Sequence, residues 1–249
     1  MSKRRINKNL EYWECAKQPF VCLIFLTPLL LFYEVGILFY GNGSESVIRN
    51  GADHWIRTYL EHISQGSSVY LPAFIVTGLV IWQVAGKFSW KITPDTLLGM
   101  FAESLLFAFL LILLAQLQGY AFQQLQTHGI IASIGTSTTQ IISFLGAGIY
   151  EEFLFRLLLL PLCYGLFRLA RLNHFWAAAL AIISSSCTFS IAHYVGVSSD
   201  DFDVFSFLFR TLAGCFFSLL FVLRGFGITV GCHATYDVIV GVMMYSQNP

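Results

Sequence analysis

The residues most able to do chemistry are ionisable side chains that interrupt apolar stretches in the second half of the chain. They are three acids, two histidines and one arginine: Glu151, Glu152, Arg156, His193, His233 and Asp237. A charge at the centre of a membrane span costs about 2.5–3.5 kcal/mol on the insertion scale, so such residues are rare and usually functional. If the stretches around them cross a membrane, these six side chains are the first candidates for a reaction centre.

The spacing of these residues assigns them provisional roles on helices. Glu152 and Arg156 are four residues apart, the spacing at which helical side chains meet, with the acid on the favoured N-terminal side. Glu151 points about 100° away from its neighbour, so it is freer to face the bundle interior and to act as a general base. His233 and Asp237 repeat the four-residue spacing, which lets the acid fix the tautomer and orientation of the imidazole.

Two histidines and a carboxylate are compatible with two kinds of hydrolysis. They can hold Zn²⁺ with an open position for water, in which case Glu151, His193 and His233 are the metal ligands. They can also act without a metal, through a carboxylate that activates water and histidines that donate to a developing oxyanion. Carboxylates and histidines near the middle of a membrane also serve as proton relays. An ion- or proton-coupled membrane transporter is therefore the alternative class of function.

The composition indicates that lipid surrounds most of the chain. Of the 249 residues, 56% are hydrophobic and only 11% are charged, whereas an ordinary soluble domain has about 25% charged residues. This excludes an ordinary soluble enzyme. The formal net charge is zero, so no basic face favours nucleic acid as a partner.

Seven apolar segments approach the roughly 20 residues that a helix needs to cross the hydrocarbon core of a bilayer. They cover residues 19–40, 69–86, 97–118, 139–165, 175–196, 204–223 and 226–246. We therefore predict an all-α polytopic transmembrane helical bundle of about seven spans, with a loop at 41–68. An extra half-helix within 129–165 would make eight spans. The candidate site lies between the fourth, fifth and seventh helices.

Helical rise places Glu151 and His233 at similar depths, near the middle of the membrane. It places His193 near the outer face if its helix begins at residue 175. We therefore expect this helix to begin near Ala179, with residues 171–178 along the membrane interface. A distance above about 10 Å between His193 and Glu151, two to three times the reach of a hydrogen bond, would remove that histidine from the site.

The remaining ionisable residues in apolar segments match no catalytic pattern. We expect Glu34 and Glu103 to form pairs in the protein interior or to face a pore, with Arg210 as a candidate partner for them.

Three short motifs resemble those of the CAAX prenyl protease and bacteriocin-processing (CPBP) family of intramembrane proteases. Glu151-Glu152-Phe153-Leu154-Phe155-Arg156 matches the motif EExxxR, Phe189-Ser190-Ile191-Ala192-His193 matches FxxxH, and His233-Ala234-Thr235-Tyr236-Asp237 matches HxxxN/D. All three motifs occur in the family's order, each in an apolar segment. The resemblance covers about residues 140–245.

This resemblance implies an intramembrane endopeptidase of the metallo- or glutamate type. It would hydrolyse a peptide bond of a membrane-associated protein or lipidated peptide at the lipid bilayer. Glu151 would activate water, Glu152 and Arg156 would support it, and His193 and His233 would bind a metal or stabilise the oxyanion. A catalytically idle relative, acting as a membrane partner or immunity protein, is a further alternative.

The third motif ends in Asp237, where the family has Asn or Asp. The resemblance implies that this residue also serves the metal or the oxyanion. An ionised Asp cannot donate a hydrogen bond, so it favours orienting a histidine or ligating a metal.

The placement of Lys and Arg predicts the orientation of the chain. The first 18 residues carry five of them, and the loops 119–138 and 197–203 carry none, which predicts a cytoplasmic N-terminus. We expect one membrane domain, 1–249, with a cytoplasmic N-terminal segment at 1–18 and a CPBP-like catalytic core at 139–246. The expected location is multi-pass in a bacterial inner (plasma) membrane.

Overall fold

The computed structural model of the chain describes residues 11–40, 49–63, 66, 70–123, 138–195 and 200–246. All regular structure in these ranges is helical, which confirms the all-α prediction. In chain order the helices are α1 (Tyr12–Cys15), α2 (Pro19–Tyr40), α3 (Gly51–Ile63), α4 (Leu71–Ala85), α5 (Pro94–Gln123), α6 (Thr138–Gly146), the π-helical segments π1 (Ala147–Glu151) and π2 (Phe153–Leu159), α7 (Leu160–Leu169), α8 (His174–Ala192), α9 (Val204–Arg224) and α10 (Phe226–Ser246).

Each of the seven apolar segments forms helix over most of its length. Among the described residues, four helices are long and apolar enough to cross a membrane: Pro19–Tyr40, Pro94–Phe122, His174–Ala192 and Val204–Arg224. Helix α4 is apolar but shorter, at 15 residues. The structure thus supports a membrane-spanning bundle, while the number of seven spans stays a prediction.

Helix α10 lies at the centre of the bundle. Its first residues, 226–234, are buried on every face, and it packs against α5, α2, α9 and π1. A helix that is enclosed all round needs small residues where neighbours approach. A Cβ atom at Gly231 would lie 2.4 Å from Oγ of Ser104 on α5, so this close crossing requires glycine.

A second close approach brings π1 against α10. A Cβ atom at Gly148 would lie 2.7 Å from the backbone nitrogen of Ala234, and no side chain fits that space. The contact places the residues after Gly148 beside those around Ala234. It therefore positions two of the three predicted motifs next to each other.

Two predictions about helix boundaries are wrong. Helix α8 begins at His174, not near Ala179, because the Asn173 side chain caps it by accepting a hydrogen bond from the Trp176 backbone. Part of the predicted loop 41–68 is helix α3, which begins directly after Asn50. The proposed extra half-helix before residue 138 falls outside the described residues.

Candidate active site

The first motif lies where the helix that runs from residue 138 to residue 169 changes its winding. Glu151 ends π1, Glu152 stands between the two π segments, and Arg156 lies within π2. Single turns of π-helix inside longer helices are frequent at functional sites. The wider turn changes the direction in which successive side chains point relative to an ordinary α-helix.

Three side chains from different helices converge on one point. Oε2 of Glu151 lies 3.9 Å from Nε2 of His193 at the end of α8, and 3.9 Å from Nε2 of His233 on α10. These distances are too long for direct hydrogen bonds. The gap between the three atoms suits a small polar molecule such as water. His193 is thus well within the 10 Å expected of a residue at the site.

In each histidine, Nδ1 is hydrogen-bonded to an acceptor. Nδ1 of His193 lies 2.9 Å from the carbonyl oxygen of Phe189, and Nδ1 of His233 lies 2.7 Å from Oε1 of Glu152. Because carbonyl and carboxylate oxygens only accept, each Nδ1 carries the hydrogen. The Nε2 atoms of both rings therefore face Glu151 and are free to accept a hydrogen bond or to take up a proton.

The predicted pair between Glu152 and Arg156 is present and fully buried. Nη1 of Arg156 lies 3.1 Å from Oε1 of Glu152, and both side chains have 0% exposure. The guanidinium also stacks on Phe189, 4.4 Å from the ring centroid, and on Phe217 at 5.3 Å. The pair is joined to the His233 ring through Oε1 of Glu152, which lies 2.7 Å from Nδ1 of that ring.

Asp237 lies beside His233, as the four-residue spacing predicts, but it faces the other ring nitrogen from the one that is hydrogen-bonded. Its Oδ2 lies 3.5 Å from Nε2 of His233, whereas Nδ1 of the same ring is bonded to Glu152. The interpretation that Asp237 fixes the tautomer is therefore wrong, and Glu152 does so. Sequence spacing shows that Asp237 and His233 are neighbours, but it does not show which ring nitrogen the acid faces.

One contact of Glu151 comes from a part of the chain with no recognised motif. Nδ2 of Asn50 donates a hydrogen bond of 3.2 Å to Oε1 of Glu151. The available sequence signal is Asn50 three residues before Asp53, a pattern typical of a helix N-terminus. That signal predicts helix α3 but not a contact with Glu151, 101 residues away.

The convergent side chains line a cavity of about 270 Å³. Its walls carry the polar groups of Glu151, His193, His233 and Asp237 together with aromatic and cationic side chains: Phe189, Phe205, Phe209, Phe217, Tyr236 and Arg210. The His233 ring stacks on Phe217 with centroids 4.5 Å apart. Apolar walls with a few convergent polar groups are typical of binding and active sites.

The proposed partnership of Glu34 and Glu103 with Arg210 is wrong. Arg210 pairs with Asp200 at 2.5 Å. Glu103 is bonded through both carboxylate oxygens to Arg224, at 2.6 and 2.7 Å. Glu34 accepts hydrogen bonds from Arg57 and from the hydroxyl of Tyr150. The pair of Glu103 and Arg224 joins helices that are remote in the chain, 121 residues apart, so sequence spacing carries no signal for it.

The donor atoms at this point lie farther apart than the ligands of a bound zinc ion. In the described part of the chain, no group of three or more His, Cys, Asp or Glu residues is arranged to hold a metal. Two ligands of a tetrahedral zinc lie roughly 3.3 Å apart, while both distances between Nε2 and Oε2 are 3.9 Å. The donor types suit zinc but their separations do not, so Zn²⁺ binding stays a prediction to be tested by metal analysis.

Comparison with known proteins finds a similarity to one family in the second half of the chain. Residues 133–239 match the family model described as type II CAAX prenyl endopeptidase Rce1-like. This segment is therefore similar to that family. The match confirms the family predicted from the three motifs, all of which lie within the matched range. No curated protein and no solved structure matches the chain. A membrane protease family and four apolar helices together fit an integral membrane protein.

Proposed function

We propose that the chain is an intramembrane endopeptidase in which Glu151 is the catalytic base. The observation that carries the proposal is the position of Oε2 of Glu151, 3.9 Å from Nε2 of both His193 and His233 inside one cavity. A carboxylate and two imidazoles at this separation suit a water molecule held among them. The Rce1-like match of residues 133–239 supports peptide hydrolysis as the reaction.

The first chemical step is the attack of water on the scissile carbonyl. Glu151 takes one proton from the water. The oxygen of the water then bonds to the carbonyl carbon, and the carbonyl oxygen becomes an oxyanion. In a protonated histidine both ring nitrogens donate. Because each Nδ1 is already bonded, the additional proton of His193 or His233 resides on Nε2 and points at the oxyanion.

The second step breaks the peptide bond. The tetrahedral intermediate collapses, the carbon–nitrogen bond breaks, and Glu151 returns its proton to the leaving amine. The protein then holds a carboxylic acid and an amine as products. Glu152 and Arg156 touch neither group in this scheme. They keep the ring of His233 in place through the bond from its Nδ1 to Glu152.

The proposed substrate is a membrane-associated protein or lipidated peptide that enters from the bilayer. The name of the matched family points to a prenylated tail. The aromatic walls of the cavity, such as Phe205 and Phe209, suit apolar residues beside the scissile bond. We further propose a multi-pass protein of a bacterial inner membrane with a cytoplasmic N-terminus, on the basis of the Lys and Arg distribution.

Cleavage of a defined peptide by the purified chain in lipid nanodiscs tests the proposal. The probe is a quenched fluorescent peptide with a prenylated cysteine followed by three residues, beside the same peptide without the prenyl group. We expect cleavage near the cysteine, identified by mass spectrometry, and none with Glu151→Gln. A folded wild-type protein that cleaves neither peptide contradicts the proposal and favours the transporter or idle-relative alternatives.

The same assay separates the two hydrolytic mechanisms. We expect cleavage to persist after treatment with a strong zinc chelator, with no stoichiometric metal in the purified protein, because the ligand separations do not fit zinc. Loss of cleavage on chelation and its recovery on addition of Zn²⁺ would contradict the metal-free mechanism and leave the endopeptidase assignment intact.

A further inference from the structure

Asn50 connects the N-terminal half of the chain to the proposed base. Its side-chain nitrogen donates to Oε1 of Glu151 at 3.2 Å, and the residue is only 8% exposed. Oε1 is thereby engaged, while Oε2 is the oxygen that lies 3.9 Å from both histidines. One oxygen of the carboxylate is held from α3, and the other faces the cavity.

The orientation of the Asn50 amide is fixed by a second bond. The backbone nitrogen of Asp53 donates to Oδ1 of Asn50 at 2.9 Å, which caps the first turn of α3. A backbone N–H can only donate, so the amide oxygen must face Asp53. The amide nitrogen is then left to face Glu151, and the reverse orientation would place two acceptors against each other.

Helix α3 is in turn fixed by a buried polar network around Asp53, which has 0% exposure. Asp53 accepts hydrogen bonds from Tyr33 at 2.6 Å, from Arg57 at 2.6 Å and from Arg49 at 2.9 Å. These bonds join α3 to α2 and leave its N-terminus in one position.

The same network reaches the residue next to Glu151. Arg57 and the hydroxyl of Tyr150 both donate to Oε1 of Glu34, at 2.7 and 2.5 Å. Tyr150 immediately precedes Glu151 in π1. The helix that carries Asn50 and the segment that carries Glu151 are thus tied to the same carboxylate of α2.

We infer that Asn50 is a positioning residue for the proposed base: it holds Oε1 of Glu151 and so directs Oε2 to the water and the scissile carbonyl. The inference rests on the proposed function and deepens it. It also places part of the hydrolytic site outside residues 133–239, the segment that matches the Rce1-like family. Since a misplacement of about 1 Å can cost roughly a hundredfold in rate, one hydrogen bond of this kind has a measurable effect.

Two substitutions remove the donor and keep the helix cap. Ser and Asp both accept from the backbone at a helix N-cap, but Ser is too short to reach Glu151 and Asp offers no donor. A matched control exists on α8, where Asn173 caps the helix through an equal bond of 2.9 Å to the Trp176 nitrogen and has no contact with Glu151 in the structure. Asn173→Ser therefore makes the same chemical change away from the site.

The experiment measures kcat, KM and the thermal midpoint of the full chain in nanodiscs with the prenylated peptide. We expect Asn50→Ser and Asn50→Asp to lower kcat by roughly tenfold to a hundredfold with KM changed less than about threefold. Asn173→Ser should keep both kcat and the thermal midpoint near the wild-type values, because Ser retains the helix cap.

Other outcomes overturn the inference. Wild-type kcat in Asn50→Ser, or an equal loss of kcat in Asn173→Ser at an equal thermal midpoint, shows that the Asn50 contact does not position the base. Failure of both Asn50 variants to fold assigns the residue a structural role and also overturns it. If the wild-type protein cleaves nothing, the proposed function itself fails. Activity that is lost with Glu151→Gln but retained with Asn50→Ser defeats only this inference.

Discussion

Glu151 and Glu152 are adjacent in the chain and lie in opposite surroundings. Glu152 is fully buried, 3.1 Å from Arg156 and 2.7 Å from Nδ1 of His233. Glu151 has a side chain that is 12% exposed, accepts one hydrogen bond from Asn50 and faces the cavity. A glutamate side chain is therefore compensated by a positive charge at position 152 and faces an open polar cavity at position 151.

These surroundings explain how one membrane helix carries two adjacent acids. A buried carboxylate is tolerated when a cation and hydrogen bonds compensate it. Oε1 of Glu152 has both, from Arg156 and His233, whereas its Oε2 is buried without a hydrogen-bond partner in the described residues. Such a group is already committed to its partners. The neighbouring Glu151 differs because its side chain is 12% exposed and lines the cavity, so a water molecule can reach its carboxylate, and this is the property that a general base needs.

Breaking the buried pair should have the largest effect on stability. Arg156→Ala leaves Glu152 buried without its cation, and removal of one partner of a buried pair costs about 3–5 kcal/mol. For a chain of this size, that loss lowers the thermal midpoint by roughly 6–20 °C, measurable by unfolding in nanodiscs.

The control is a partly exposed pair on the cavity wall. Arg210 has a 24% exposed side chain and pairs with Asp200, which is 56% exposed. Exposed pairs contribute about 0–1 kcal/mol, so Arg210→Ala should shift the thermal midpoint by only a few degrees. If Arg156→Ala and Arg210→Ala lowered the thermal midpoint equally, the buried pair of Glu152 and Arg156 would be no more important for stability than an exposed pair.

Removal of the His193 imidazole, which faces the cavity, should lower kcat and leave stability almost unchanged. His193 has a 26% exposed side chain at the end of α8. Loss of one oxyanion donor typically costs about a hundredfold to a thousandfold in kcat. We expect His193→Ala to lose activity to this extent in the peptide assay while its thermal midpoint stays close to wild type. A large fall in stability with little loss of kcat would place His193 with the structural residues.

Asp237 tests the side of the His233 ring that faces the cavity. Its Oδ2 lies 3.5 Å from Nε2 of His233, and interactions with charged groups contribute about 1.5–3 kcal/mol, or roughly tenfold to a hundredfold in rate. Asp237→Asn keeps the shape and one acceptor oxygen, so kcat should fall toward the lower end of this range. Asp237→Leu keeps the branched shape but no acceptor oxygen, so its kcat should fall toward the upper end. Equal kcat values for Asn, Leu and wild type would exclude a role in the reaction.

The smallest effect is expected at the cap of α9, outside the apolar part of that helix. Hydrogen bonds from the backbone and hydroxyl of Ser206 hold the pKa of Asp203 below its ordinary value. A carboxylate whose pKa is lower in the folded than in the unfolded protein stabilises the fold at any pH above the unfolded-state pKa. This stabilisation is lost as the pH falls through the folded-state pKa. Asp203→Ala should cost about 1 kcal/mol at neutral pH, and the difference from wild type should shrink toward pH 3. A difference that grows on acidification would contradict this assignment.

Sequence reasoning found the elements of the fold better than the contacts between them. Apolar runs and chain length predict all seven helical segments, and the four-residue spacing of Glu152 and Arg156 predicts their pair. The convergence of Glu151, His193 and His233 follows from the motifs. Helix α3 is missed because its composition is amphipathic rather than apolar. The π winding leaves no recognisable pattern in the residues.

Contacts between remote helices were the hardest to predict. The bond from Asn50 to Glu151 joins residues 101 positions apart, and that from Glu103 to Arg224 joins residues 121 apart. Such pairs depend on which helices pack together and at what rotation, which periodicity does not fix. For the same reason, spacing could not show that Glu152, rather than Asp237, holds Nδ1 of His233.

The role of Glu151 as the base is tested by measuring kcat and the thermal midpoint of Glu151→Gln beside those of Glu152→Gln, with both variants in nanodiscs of the same composition. If Glu151 is the base, Glu151→Gln should lower kcat by about 10²–10⁴-fold and leave the midpoint near wild type. Glu152→Gln should lower the midpoint markedly, since Arg156 loses its charged partner. Wild-type cleavage by Glu151→Gln would contradict the account.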